Sequence, residues 1–141
     1  MMQWAAAYFG ALIVFGIVDV AWLSLMGSVF YKPMLGDMLA SSVRLLPAVV
    51  FYLFFPVGLA TFAIVPALRD SSPITALAYG ALLGALCYGT YDLTNHAVMR
   101  EWSTEVTVVD IAYGAFASAV ASIATYYIVA NVLDLSGSSS S

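Results

Sequence analysis

The sequence predicts an all-α integral membrane bundle of four transmembrane helices, and three observations carry that prediction. Of 141 residues, 63% are hydrophobic and only 9% charged, against roughly 25% charged in soluble domains. Apart from Asp19, Asp92 and Asp110, the charges fall in clumps, at Lys32/Asp37/Arg44, Arg69/Asp70, Arg100/Glu101/Glu105 and Asp134. The apolar runs between them approach the ~20 residues needed to cross hydrocarbon. Spans are therefore expected at about Trp4 to Met26, Leu45 to Val65, Ile74 to Val98 and Val106 to Val132, within a single domain of residues 1–135.

The first span lacks a basic segment before it and outruns the apolar core of a signal sequence, so it is read as a retained helix. After it, Pro33 can open a short interfacial helix within Tyr31 to Ala40, where Met34, Leu35, Met38 and Leu39 recur at helical spacing. In the second span Pro56 should kink the helix and Pro66 should end it, because each removes a donor from the backbone ladder. Arg69 to Pro73 then form a tight polar turn, with Pro73 suited to the first turn of the third helix. Beyond the fourth span, Ser136 to Ser141 reads as a flexible Ser/Gly tail.

Steps of four along the third span join Ala76, Gly80, Gly84, Tyr88 and Asp92 on one ridge. The fourth span repeats the pattern with Asp110, Gly114, Ser118, Ser122 and Tyr126. In lipid, where hydrophobicity does not drive helices together, small residues let backbones approach and pack. These two helices are expected in close contact.

In a four-span topology the end of span one, the start of span two, the end of span three and the start of span four share one membrane face. Asp19, Trp22, Arg44, Tyr91, Asp92, Asn95, His96, Arg100, Trp102, Thr107 and Asp110 all belong to those ends, whereas the other half offers little beyond Thr61, Thr75 and Thr125. Asp92 precedes Arg100 by two helical turns, which places it on the order of 10 Å deeper. Three aspartates gathered at low dielectric need protons or partners. Arg44, Arg100 and His96 are the available cations, and Tyr91, Asn95 and Trp22 can donate hydrogen bonds. Lys32, Arg44 and Arg100 against Arg69 alone put the polar face in the cytoplasm by the positive-inside rule. The expected location is a bacterial inner membrane, crossed several times.

Asp19-Val-Ala-Trp-Leu23, Tyr52, Pro66-Ala-Leu68, Thr90-Tyr-Asp-Leu-Thr-Asn95, Trp102-Ser103 and Val109-Asp110 form a pattern over nearly the whole chain to about Val132. It resembles the bacterial predicted-membrane-protein family called domain of unknown function 2177. The resemblance implies a small multi-helix membrane protein and carries no activity. Its motif positions Asp19, Trp22, Tyr91, Asp92, Asn95 and Asp110 become candidate functional positions, while His96, Arg100 and Arg44 enter on their chemistry alone.

The leading functional expectation is a site for the polar head of a lipid-like or small hydrophobic molecule, with Asp92 as its floor, Asp92 orienting His96, and Arg44 or Arg100 holding an anionic head. Membrane lipid is the expected partner, and a homo-oligomer stays open. Proton or ion translocation is the alternative, weakened by the sparse opposite half; a polar network that only fixes packing is a third. For a divalent metal at Asp19, Asp92, His96 and Asp110 only the Asp92-x-x-x-His96 spacing speaks, and none is expected. No cofactor is identified, and no Gly-x-Ser-x-Gly, phosphate loop or HExxH motif commits the chain to an enzymatic reaction. Cys87 is the only cysteine, which excludes an internal disulfide, and no basic stripe points to nucleic acid.

Overall fold

A computed structural model describes the backbone of residues 2–39 and 44–140, with side chains through Leu133. Helix α1 is Met2–Met26, followed by a wide π-helical turn Gly27–Tyr31, a single turn α2 at Lys32–Leu35 and a 3-10 turn Gly36–Met38. Then come α3 Leu45–Leu59, a second π-helical turn Ala60–Ile64, α4 Val65–Asp70, α5 Pro73–Val98 and α6 Thr104–Ser140. Four helical stretches are long and apolar enough to cross a membrane: α1 with its extension, α3 through α4, α5, and α6 to Leu133. Among the described residues there is no strand. The tail expected from Ser136 to Ser141 lies outside the described side chains.

The segment after α1 is a continuation of that helix rather than a separate interfacial one. Pro33 does stand in the first turn of α2, as its missing N–H favours. Pro66, by contrast, does not end the second span. It enters in the first turn of α4, directly after Ala60–Ile64, where the Val65 N–H reaches back to the Ala60 carbonyl. That wider bonding already loosens the ladder ahead of the proline, so the helix continues to Asp70. At the other interruption Pro56 lies inside α3, and the Leu53 carbonyl accepts the Tyr8 hydroxyl at 2.8 Å.

The turn between α4 and α5 forms as the sequence predicts. Ser71 takes the left-handed conformation (φ 49°), Ser72 N–H bonds the Ala67 carbonyl at 3.0 Å, and the Ser72 hydroxyl caps α5 by accepting from Thr75 N–H at 3.3 Å. At the start of α6, Ser103 Oγ accepts from the N–H groups of Glu105 (3.1 Å) and Val106 (3.4 Å).

Helix α6 lies between α1 and α5, packing on both. Toward α1, Tyr113, Ala117 and Ala121 join Ala7, Ala11, Phe15, Phe55 and Leu59 in the main core. Toward α5, the two small-residue ridges interlock. A Cβ added at Gly80 would lie 2.8 Å from the Ser118 carbonyl oxygen, one at Gly84 2.7 Å from Ser118 Cβ, and one at Gly114 2.8 Å from Tyr88 Cβ. Reading along the pair, Ala76 clusters with Tyr126, Gly80 meets Ser122, Gly84 meets Ser118, and Tyr88 meets Gly114. At both ends a tyrosine fills the space left by a small residue, which fixes the antiparallel register.

A third ridge of the same kind appears on α1, where the buried residues are Ala7, Ala11, Phe15 and Asp19. Three helices therefore each carry a four-step, largely buried ridge with an aspartate at one end. Large apolar side chains such as Leu46, Phe54, Phe62, Leu82, Leu86 and Phe116 face outward, as hydrocarbon solvent permits.

Candidate functional site

The ridges deliver Asp19, Asp92 and Asp110 to one end of the bundle, but each meets a different environment. Asp19 is buried and accepts hydrogen bonds from the hydroxyls of Tyr113, at 2.8 Å, and Tyr52. Two neutral donors from two other helices thus compensate its carboxylate. Asp110 accepts from the Tyr31 hydroxyl at 2.6 Å, and Tyr31 in turn accepts from the Trp22 indole N–H at 3.0 Å. Tyr31 ends the π-helical turn after α1, so the helical extension is what brings its hydroxyl to α6. The Trp22 ring stacks on Tyr113 with centroids 4.2 Å apart, which links the two carboxylate networks.

Asp92 differs from both. It is fully buried and neither carboxyl oxygen has a hydrogen-bond donor. The register that sets Tyr88 over Gly114 carries Asp92, one turn beyond Tyr88, to the same end of the interface as Asp110.

Two cavities meet here. One of about 200 Å³ is lined by Asp19, Trp22, Tyr31, Tyr88, Tyr91, Trp102, Asp110 and Tyr113, with Leu23, Leu35 and Val106. The other, about 420 Å³, is an apolar groove bounded by Phe51, Cys87, Tyr88, Tyr91 and Asp110. Tyr88, Tyr91 and Asp110 belong to both. Because Phe51 and Cys87 are exposed on the lipid-facing side, the groove opens sideways between α3 and α5.

Of the residues the sequence singles out, Asp19, Trp22, Tyr91 and Asp110 line the inner cavity. Asp92, expected as the floor, is fully buried and lines neither cavity. Asn95 is half-buried one helical turn beyond Tyr91. His96 faces the α5–α6 connection, with Nε2 3.2 Å from Thr104 Oγ1 and Nδ1 3.4 Å from Thr107 Oγ1. The expected Asp92–His96 pair is therefore not formed, because threonines at the start of α6 engage both ring nitrogens. Arg44 and Arg100 are exposed and line neither cavity, so no guanidinium stands ready for an anionic head. Among the described residues, no three carboxylate, imidazole or thiol groups converge as metal ligands.

Tyr31 and Tyr113 escape the sequence reading of the site, while Trp102 at the polar end, Tyr88 on the ridge and Tyr52 in the family pattern are named there but not counted among the candidate functional positions. Tyr113 lies three residues after Asp110 and shares its helix face, and the four-step ridge Ala7-Ala11-Phe15-Asp19 was legible by the spacing that revealed the other two.

A family model described as a predicted membrane protein, DUF2177, matches residues 4–127. No curated protein and no solved structure matches the chain.

Proposed function

The chain belongs to the DUF2177 family of predicted membrane proteins, and from its site we propose that it binds a lipid-like molecule, head in the inner cavity and tail in the lateral groove. One observation carries this reading: a polar, aromatic-lined cavity and an apolar groove share the walls Tyr88, Tyr91 and Asp110. A tailed molecule already in the bilayer gains little from burying its chain again, since lipid is as apolar as the groove. Selection must then come from the head, through Asp19, Asp110 and the surrounding rings. Asp92, Asn95 and His96 serve as support behind the cavity, and Arg44 and Arg100 stay at the membrane surface.

The translocation reading is weaker. Hydroxyls do continue from Asp110 along α6, at Ser118, Ser122 and Thr125, all buried and unpartnered. Gly84 and Gly80 cover the two serines so closely that an added methyl would collide, which leaves no room for a file of water.

We place the protein in the cytoplasmic membrane of a bacterium with the cavity toward the cytoplasm, on the distribution of Lys32, Arg44 and Arg100 against Arg69. A C-terminal alkaline phosphatase fusion is expected to be active and a fluorescent-protein fusion dark; the reverse pattern would invert the orientation. Native mass spectrometry of protein extracted in mild detergent tests binding. Wild type is expected to carry a tailed molecule that Cys87→Trp, which fills the groove, removes without loss of helix content. Equal retention by both proteins, or none by wild type, would remove the reading.

A further inference from the structure

The class of head follows from which hydrogen-bonding groups of the cavity remain free. Trp22 N–H is committed to Tyr31, Tyr31 O–H to Asp110, Tyr113 O–H to Asp19, and Trp102 N–H to Thr107 at 3.0 Å. Four of the six side-chain donors in the wall are thus spent inside the protein, and what remains toward the cavity is carboxylate oxygen, aromatic ring and the hydroxyls of Tyr88 and Tyr91. Among the described residues lining it, none is Lys, Arg or His.

At the same end of the bundle Asp92 adds a third carboxyl, fully buried and with no donor on either oxygen. The fold gathers three acidic groups, answers two of them with neutral hydroxyls only and leaves the third without a donor. An anionic head would meet like charge and few free donors. A neutral head would leave the acidic groups without a counter-charge. A cation would meet two carboxylates and a surround of four tyrosines and two tryptophans, whose ring faces attract positive charge.

We propose that the inner cavity takes an organic ammonium, the head of an amphiphile whose tail occupies the groove. The inference rests on the binding reading above, and it reverses the anionic head that Arg44 and Arg100 suggested from sequence. An untailed amine would offer the same cationic chemistry, so the test separates the two sources.

Calorimetric titration of the protein in dodecyl maltoside micelles compares dodecyltrimethylammonium, dodecanol and dodecanoate, which differ in head, with tetramethylammonium, which has no tail. Dodecyltrimethylammonium is expected to bind at least roughly tenfold more tightly than the neutral and anionic probes. Asp110→Asn should erase most of that preference. Tyr91→Leu should weaken it too, and because Tyr91 is 58% exposed this variant keeps the test alive if Asp110→Asn fails to fold. Cys87→Trp should weaken dodecyltrimethylammonium and leave tetramethylammonium unchanged.

If all dodecyl probes bind alike and all are lost in Cys87→Trp, the tail groove stands and the ammonium inference falls. Tetramethylammonium binding as tightly as the dodecyl cation would keep the cation site and overturn the tailed ligand. Absence of binding by every probe, or preference for dodecanoate, would overturn the ammonium inference, the former also removing the binding reading.

Discussion

The α5–α6 interface contains two stretches built from the same four-step ridges, and they reach opposite outcomes. From Gly80 and Gly84 across to Ser118 and Ser122, small residue meets small residue, the backbones touch, and buried hydroxyls are sealed without partners. One to two turns further, Tyr88 fills the notch above Gly114 and the helices carry aspartates instead, with a cavity of about 200 Å³ beside them. The difference lies in side-chain size. Glycine and serine bring the helices into contact and close the seam, whereas tyrosine and tryptophan hold neighbouring elements apart and leave a space whose walls are rings and carboxylates. Polarity alone therefore does not open a cavity in this bundle; polarity beside bulky aromatics does.

The sharpest break of this comparison is Gly84→Leu. A side chain there would collide with Ser118 and the Gly114 backbone, so a loss of about 3 kcal/mol or more is expected, read as a large fall in melting temperature. A melting temperature equal to that of Leu83→Ala would show that the seam is loose. Next comes Tyr113→Phe in the open half, which strips Asp19 of one of its two donors. It should cost about 2 kcal/mol, because the bond removed serves a buried carboxylate. An unchanged melting temperature would mean that Asp19 is satisfied in another way.

Leu83→Ala removes a half-buried side chain that packs on Gly58 and the main core, and about 1 kcal/mol is expected from calorimetry or thermal melting. The smallest effect belongs to Ser118→Ala. Its hydroxyl has no partner, so removal should change stability by less than about 0.5 kcal/mol or raise it slightly. A loss well above that would show that the seam contains a polar bond and would blur the contrast between the two stretches.

The four spans were legible from the length of apolar runs, the paired lanes on α5 and α6 from a four-residue periodicity within each helix, and the gathering of polar ends from the alternation of spans across the membrane. The wall of the cavity was not. Asp19 is completed by Tyr52 and Tyr113, and Asp110 by Tyr31 through Trp22, which are contacts between elements far apart in sequence. His96 misled because a four-residue step to Asp92 suggests a pair, while residues beyond the helix end, Thr104 and Thr107, engage the ring. Pro66 misled because the wide turn Ala60–Ile64 has no simple signature in composition, and that turn is what lets the helix pass the proline.

The aspartate end of the bundle encloses a cavity, proposed above to bind an amphiphile, while the glycine–serine seam is closed. Crystals grown with a dodecyltrimethylammonium derivative carrying bromine at the tail terminus would test that proposal directly, by anomalous diffraction at the bromine edge. The account predicts a bromine peak in the groove beside Phe51 and Cys87, with the head density against Tyr88, Tyr91 and Asp110. A bromine peak confined to the outer lipid-facing surface, with the space between Asp19 and Asp110 filled by repacked side chains, would contradict it.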